Sequence, residues 1–342
     1  MSLTGQAKVV QLHPTRRCNL RCRHCYSGSG PEVREALALP LLIDALADLR
    51  DEGYSVVSLS GGEPLLYGEL FDLLAGAKRL GLKTTLTSNG MLLTRDKLGR
   101  LKDDLDLLAI SLDGRPESHN RMRAHARAFD VMHSRLDALR DSGIPFGFIF
   151  TLTQHNLDEL EWVMRYAKEQ GASLLQIHPL ESIGRAAAEM DHAVPDGIEA
   201  TMTFLEAARL QQQTGDGLRL QIDLSHRQSL RQNPAKFYAD DARLEDAWSK
   251  DVPLSTLISP LVVESDGTVV PLQYGFSRDY SLGSLHDARL AVLAARWKAQ
   301  TLPRFRELCR AVHGEATRDE TSLAFFNWYD NIRHAAAQTA VG

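Results

Sequence analysis

Between residue 8 and about residue 213, short β-branched runs alternate with longer stretches whose apolar residues recur every three or four positions. The runs KVVQL (8–12), SVVSL (55–59), KTTLTS (83–88), LDLLAISL (105–112), FGFIFTL (146–152) and SLLQIH (173–178) predict strands. The stretches at about 39–50, 67–80, 94–103, 129–142, 157–170 and 196–213 predict helices. In the first of these, Leu42, Leu46 and Leu49 fall on one face. Strand-then-helix repetition predicts parallel strands with helices packed outside them. Six such units make an α/β fold, a partial (β/α)6 barrel of the TIM type rather than a closed eight-fold one. Reactive groups then gather where strands end and loops begin.

After about residue 215 the rhythm changes. LRLQIDL (218–224) predicts one more strand, and 226–257 is polar and irregular. LVVESDGTVVPL (261–272) predicts a hairpin turning at Asp266-Gly267. A helical stretch follows at about 286–312, and a tail containing FFNWYDNIRHAA closes the sequence. The expected division is a core domain over 1–214 and a small α+β extension over 215–342.

Composition narrows the function classes. The 342 residues are 44% hydrophobic and 24% charged, an ordinary globular balance, with a formal net charge of −5. No basic stripe is present, so a nucleic-acid partner held through phosphates is not expected. No run is long and apolar enough for a membrane helix, and the first residues carry no export pattern; the expected location is the cytoplasm. Of four cysteines, three fall within eight residues and Cys309 stands far away, which reads as metal binding rather than a disulfide framework.

The cluster is Cys18-Asn-Leu-Arg-Cys22-Arg-His-Cys25-Tyr26, directly after the first strand. Three thiolates on one loop can reach one iron–sulfur cubane and leave its fourth iron open, as in a catalytic site. Spacing alone also admits zinc, with His24 or His13 as the fourth ligand. Further polar groups stand at predicted strand ends. They are Ser60-Gly61-Gly62-Glu63-Pro64 after the second strand, Thr87-Ser88-Asn89-Gly90 at the third, and Ser111-Leu-Asp113-Gly114 at the fourth.

Together these runs resemble the radical S-adenosylmethionine (radical SAM) superfamily, over residues 8 to about 190 and more weakly over 255–290. The resemblance implies one [4Fe–4S] cluster on Cys18, Cys22 and Cys25, with S-adenosylmethionine as the second cofactor. It implies that Gly61, Gly62, Glu63 and Pro64 hold the SAM amino group, with Glu63 accepting from the ammonium. Ser88, Asn89, Ser111 and Asp113 would contact its ribose and methionyl part, although Asn89 is also a candidate left-handed turn residue. Arg123 would clamp the SAM carboxylate with its guanidinium fork, Arg121 being the neighbouring candidate. Arg185, in Gly184-Arg185-Ala186, would lie near SAM or on a solvated turn. Reduction of the cluster would cleave SAM to a 5′-deoxyadenosyl radical that abstracts a substrate hydrogen. A flavodoxin or ferredoxin would supply the electron.

The segment from Pro260 to Leu285 resembles the SPASM or twitch extension of that superfamily, with Leu272 where relatives carry a cysteine ligand. No auxiliary cluster is therefore expected, which directs attention to redox-neutral chemistry. The resemblance implies a ribosomally made peptide as substrate. The alternatives are a sugar, nucleoside or amino acid in secondary metabolism or cofactor biosynthesis, and a non-catalytic iron–sulfur scaffold. Cys309 has two readings: a buried apolar residue beside Leu308 and Val312, or the hydrogen-atom donor that a redox-neutral epimerase needs.

Overall fold

Each predicted strand forms, because its alternate residues find a helix layer on one side of the sheet. In the computed structural model the described residues are 7–215, 217–239, 252–318 and 323–339. The strands β1 (Val9–Leu12), β2 (Val56–Leu59), β3 (Lys83–Ser88), β4 (Leu107–Ser111), β5 (Phe146–Leu152), β6 (Leu174–Pro179) and β7 (Arg219–Ile222) lie side by side and parallel in that order. The first six form the partial (β/α)6 barrel, and β7 continues the sheet beyond it. Helices α1 (Leu39–Asp51), α2 (Leu70–Arg79), α3 (Arg95–Leu101), α4 (Pro116–Arg123), α5 (Ala128–His133), α6 (Leu136–Ser142), α7 (Leu160–Glu169), α8 (Arg185–Glu189) and α9 (Gly197–Thr214) connect them.

The outward residues of the strands and the inward faces of the helices make one core. Val10, Leu12, Leu86, Leu108, Ile110, Phe148, Phe150, Leu175 and Ile177 are all fully buried, as are Leu42, Leu46 and Leu49 of α1. Truncating a leucine such as Leu46 to alanine costs about 2–5 kcal/mol in such a setting.

The other face of the same strands differs. Register aligns Gln11 with Ser58 and Thr85 at one edge, and Ile149 with Gln176 and Gln221 at the other. Gln11, Ser58, Thr85, Thr87, Thr151, Gln176 and His178 on this face are half-buried. Parallel sheets are ordinarily apolar on both faces. A half-open polar face therefore marks the lumen of the partial barrel.

The sheet does not stop at the expected division after residue 214. Beyond α9, β7 pairs with β6, and β9 (Leu261–Val263) joins the opposite edge parallel to β1. The expected hairpin is present: β9 and β10 (Thr268–Pro271) are antiparallel with Val263 opposite Val269, and β11 (Gly283–Ser284) follows, making ten strands among the described residues. Two short strands, β8 (Ser225–His226) and β12 (Phe325–Phe326), form a separate pair.

The single helix expected at 286–312 is two, Leu290–Gln300 and Leu302–Arg318. The tail adds Trp328–Thr339. The stretch expected at 129–142 likewise breaks into α5 and α6, and α4 was not foreseen because Pro116-Glu-Ser-His-Asn-Arg-Met-Arg123 carries almost no apolar period. The extension is tied to α1 by Arg289 with Asp48 at 2.6 Å and Lys298 with Glu52 at 2.7 Å. No helix of the described residues is long and apolar enough to cross a membrane.

Candidate active site

The loop after β1 carries the three cysteines over the C-terminal ends of the strands. Cys18, Cys22 and Cys25 line one cavity with Gly61, Gly62, Ser88, Asn89, Ser111 and Arg123. It encloses about 110 Å³, below the usual size of a whole-ligand pocket. Ser60, Thr87 and Ser111 belong both to this cavity and to the polar lumen face, so the cavity is the closed end of the lumen.

Backbone contacts hold the loop in place. A Cβ on Gly62 would meet the Arg17 carbonyl oxygen at 2.2 Å, and one on Gly184 would meet that of Tyr26 at 2.1 Å. Both glycines are thus required by loop-on-loop packing rather than by ligand approach. Arg185 donates to the carbonyls of Cys22 (2.6 Å) and Ser29 (2.8 Å), and its own amide donates to the Cys25 carbonyl (2.9 Å). It is neither a solvated turn residue nor a lining residue of the cavity. It latches the cysteine loop to the end of β6.

Two expected ligand contacts are committed elsewhere. Glu63 is wholly buried: one oxygen accepts from the Ser88 hydroxyl (2.9 Å) and the Leu65 amide (3.2 Å), the other from the Asn89 amide (2.9 Å). Burial pushes its carboxyl up, against these donors. It joins the β2 loop to the end of β3 instead of facing the cavity, and Pro64 opens the short helical turn behind it.

Asp113 is also wholly buried. Arg123 Nε donates to it at 2.6 Å and Nη2 at 3.0 Å, while His119 and His24 stand at 3.6 and 3.9 Å. Burial pushes the Asp113 carboxyl up, but the Arg123 guanidinium outweighs it, and it lies below the usual range. Both histidines are held neutral by burial, each lowered to about 4. Arg123 therefore spends its fork on Asp113, and its remaining amino group approaches the Cys22 sulfur at 3.7 Å. Arg121 is exposed and lies outside this cavity. Asn89 does line it, donating to Asn19 at 2.9 Å, and Gly90 rather than Asn89 takes the left-handed backbone.

Burial pushes the Cys18 thiol up to about 12 and the Cys22 thiol upward too, with Arg123 opposing the second shift. A bare thiolate is thus disfavoured, and a cationic metal centre is the partner that makes three thiolates stable here. Among the described residues no three His, Cys, Asp or Glu side chains converge on a single metal ion. Three cysteines lining one cavity suit a cubane held at three of its corners. His24 lines the same cavity with its Nε2 3.9 Å from Asp113, while His13 stacks on Tyr274 (4.9 Å) and meets Tyr26 edge-on (5.8 Å).

Sequence reasoning considered His13 only as a zinc candidate, and missed His178, Glu181 and Asp223 as a group. His13 is buried with both ring nitrogens unpartnered, and burial lowers it to about 3. Across the lumen, His178 Nδ1 lies 3.0 Å from Asp223, to which Gln176 also donates at 2.6 Å; Glu181 is 3.9 Å from His178 Nε2. Burial alone would lower His178, but the bond to Asp223 and the charges of Glu181 and Asp223 raise it to about 9. The signal was available as polar residues at alternate positions of β6. Cys309 lies in the helix Leu302–Arg318, 1% exposed in the apolar core, and lines neither that cavity nor the lumen. That placement matches the packing reading, since a hydrogen donor must reach the substrate.

The family comparison places residues 12–167 in the Radical SAM superfamily. The chain is 28% identical over 295 residues to the Fe-coproporphyrin III synthase of Methanosarcina barkeri, covering 82% of this chain and 71% of that protein. It is 29% identical over 220 residues to the sporulation killing factor maturation protein SkfB of Bacillus subtilis, covering 64% of this chain and 53% of that one. Overall it spans from about half to 71% of the length of the curated relatives it matches. The solved structure of native anSMEcpe with bound AdoMet shares the fold at a TM-score of 0.62 and 18% identity, covering 97% of each chain.

Proposed function

The chain belongs to the radical SAM superfamily, an enzyme that uses S-adenosylmethionine and a [4Fe–4S] cluster, and from that premise we propose that it modifies a ribosomally made peptide in the cytoplasm. Cys18, Cys22 and Cys25 would hold the cluster, and SAM would lie against the wall formed by Gly61, Gly62, Ser88, Asn89, Ser111 and Arg123. When bound, the two cofactors supply a 5′-deoxyadenosyl radical able to take a hydrogen atom from the substrate.

The chain's own residues prepare that site. Arg185 fixes the loop backbone, Asp113 holds the Arg123 guanidinium, and Arg123 places positive charge beside the Cys22 sulfur. Beyond α9, β7 extends the sheet at one edge and β9 to β11 extend it at the other. A flavodoxin or ferredoxin would be the electron source.

The observation that carries the substrate reading is the polar lumen face. Gln11, Ser58, Thr85, Thr151, Gln176, His178, Gln221 and Asp223 offer donors and acceptors in rows, which suits peptide backbone. SkfB, a maturation protein by name, is consistent with the peptide reading. A polar small molecule would satisfy the same rows and is the second reading.

The test is substrate-stimulated formation of 5′-deoxyadenosine by reconstituted, dithionite-reduced protein. A precursor peptide encoded beside the gene should accelerate it and change mass. Acceleration by iron-coproporphyrin III instead would overturn the peptide reading, and acceleration by a sugar, nucleoside or amino acid would favour the second.

A further inference from the structure

A larger cavity, about 390 Å³, opens beside the cysteine loop but outside the lumen, lined by Arg23, Arg121, His155, Met190 and His192. Its volume falls within the range of small-ligand pockets. Its lining is unusual: four of five side chains are cationic or able to become so.

They come from four separate segments: the cysteine loop, helix α4, the loop after β5, and the turn after α8. Met190 is buried and packs with Met122, Leu180, Ala186 and Ala193 in a small apolar cluster that floors the basin. The walls are also fixed. The Arg23 amide donates to the Met122 carbonyl (2.9 Å), the Gln154 amide donates to the Ala193 carbonyl (2.9 Å), and the His155 and His192 rings meet at 5.5 Å.

Charge compensation within the basin is thin. Arg23 has Glu189 at 3.6 Å, and Arg121 donates to the Ser118 hydroxyl at 3.0 Å. The contrast with Arg123, two residues further along α4 and clamped by Asp113, is direct. Converging like charges are unfavourable unless a counter-charge joins them. In a chain of net charge −5, four segments delivering basic groups to one concave volume point to a ligand that supplies it.

We propose that this basin binds a small polyanion, a molecule bearing at least two carboxylate or phosphate groups, at a site separate from the cysteine-lined cavity. The guanidinium forks of Arg23 and Arg121 suit such groups in bidentate geometry. The imidazoles add neutral or charged donors, and Met190 meets the apolar body of the ligand. Concavity and size favour a small molecule over the acidic face of a protein.

Calorimetric titration of the full chain with citrate, and separately with inorganic pyrophosphate, tests this. One-to-one binding of either is expected, and which of them binds distinguishes carboxylate from phosphate recognition. Arg121→Ala with His192→Ala should weaken it by at least about tenfold, the worth of one lost charge-assisted contact. Arg121→Lys should weaken it less, and Arg95→Ala, on the exposed pair with Asp141, should leave it unchanged. Both altered side chains are exposed, and an unshifted melting temperature checks that the fold is intact. No saturable binding of either anion, or equal loss in the Arg95→Ala protein, would overturn the proposal. So would Arg121-dependent binding of an acidic carrier protein with neither anion bound.

Discussion

Cys18 and Cys22 are 8% exposed and Cys309 is 1% exposed, so all three are buried, yet their surroundings are opposites. Around the loop cysteines, beside Leu20 and Met91, stand the polar Arg123, Asp113, His24, Asn89 and Glu63, nearly all bonded to each other. Cys309 shares its core with Leu308, Val312, Phe305 and Trp297. Burial costs a polar group heavily unless it is paired, and costs an apolar one nothing. The loop region therefore holds its shape largely through hydrogen bonds and ion pairs, the C-terminal helices largely through packing. Substitutions in the two regions should fail in different ways.

The largest difference concerns iron. Reconstituted protein should hold about four irons per chain, because one set of three thiolates holds one cubane. Changing Cys18, Cys22 and Cys25 together to alanine should abolish it, while Cys309→Ala should leave it intact. Iron near twice that value would break the comparison by requiring a second cluster in the C-terminal region.

Next comes the ion pair at the base of the loop. Asp113→Ala leaves the Arg123 guanidinium buried without its carboxylate, which should cost about 3–5 kcal/mol of folding stability. Urea unfolding of the apo protein reads this directly. A cost under about 1 kcal/mol, the scale of an exposed pair, would mean that the pair is far better solvated than its burial implies. Cys309→Ala, by contrast, removes one small apolar group, worth about 1–2 kcal/mol. It should leave dithionite-driven 5′-deoxyadenosine formation and turnover intact; loss of product with hydrogen abstraction preserved would return Cys309 to a donor role.

The same contrast explains what could be read from the chain alone. Period-3.6 patterns and short β-branched runs located all six barrel strands and the hairpin at Asp266-Gly267, whether burial is one-sided as in β1 to β3 or two-sided as in β9 and β10. Helix α4 escaped, since Met122 is its one large apolar residue and its partners are charges at a distance in sequence. At the site, the residue types were legible but their wiring was not. Glu63, Asp113 and Arg185 stand where the motif leads one to expect ligand contacts, yet each is satisfied by other parts of the chain. Hydrogen-bond partners dozens of residues away, such as Glu63 with Ser88 or Arg185 with Cys22, leave no local signature. The polar lumen face had a weak one, Gln176 and His178 at alternate positions of a strand otherwise apolar.

The smallest expected effect lies at the lumen's far edge, where His178 meets Asp223. Its imidazole is raised from an ordinary value near 6.5 to about 9 in the folded chain. The folded state therefore binds the proton more tightly than the unfolded chain does. The stabilisation is fully present below about 6.5 and is lost as pH rises through about 9. His178 is more than a third exposed, so solvent screens the pair and the effect on stability is modest. Denaturant midpoints measured across this window for the parent and for Asp223→Asn should differ at pH 6 and converge above pH 9. Convergence in the opposite direction, with the difference growing as pH rises, would mean that His178 is neutral in the folded protein. The lumen would then present to the substrate an acceptor where a cationic donor is expected.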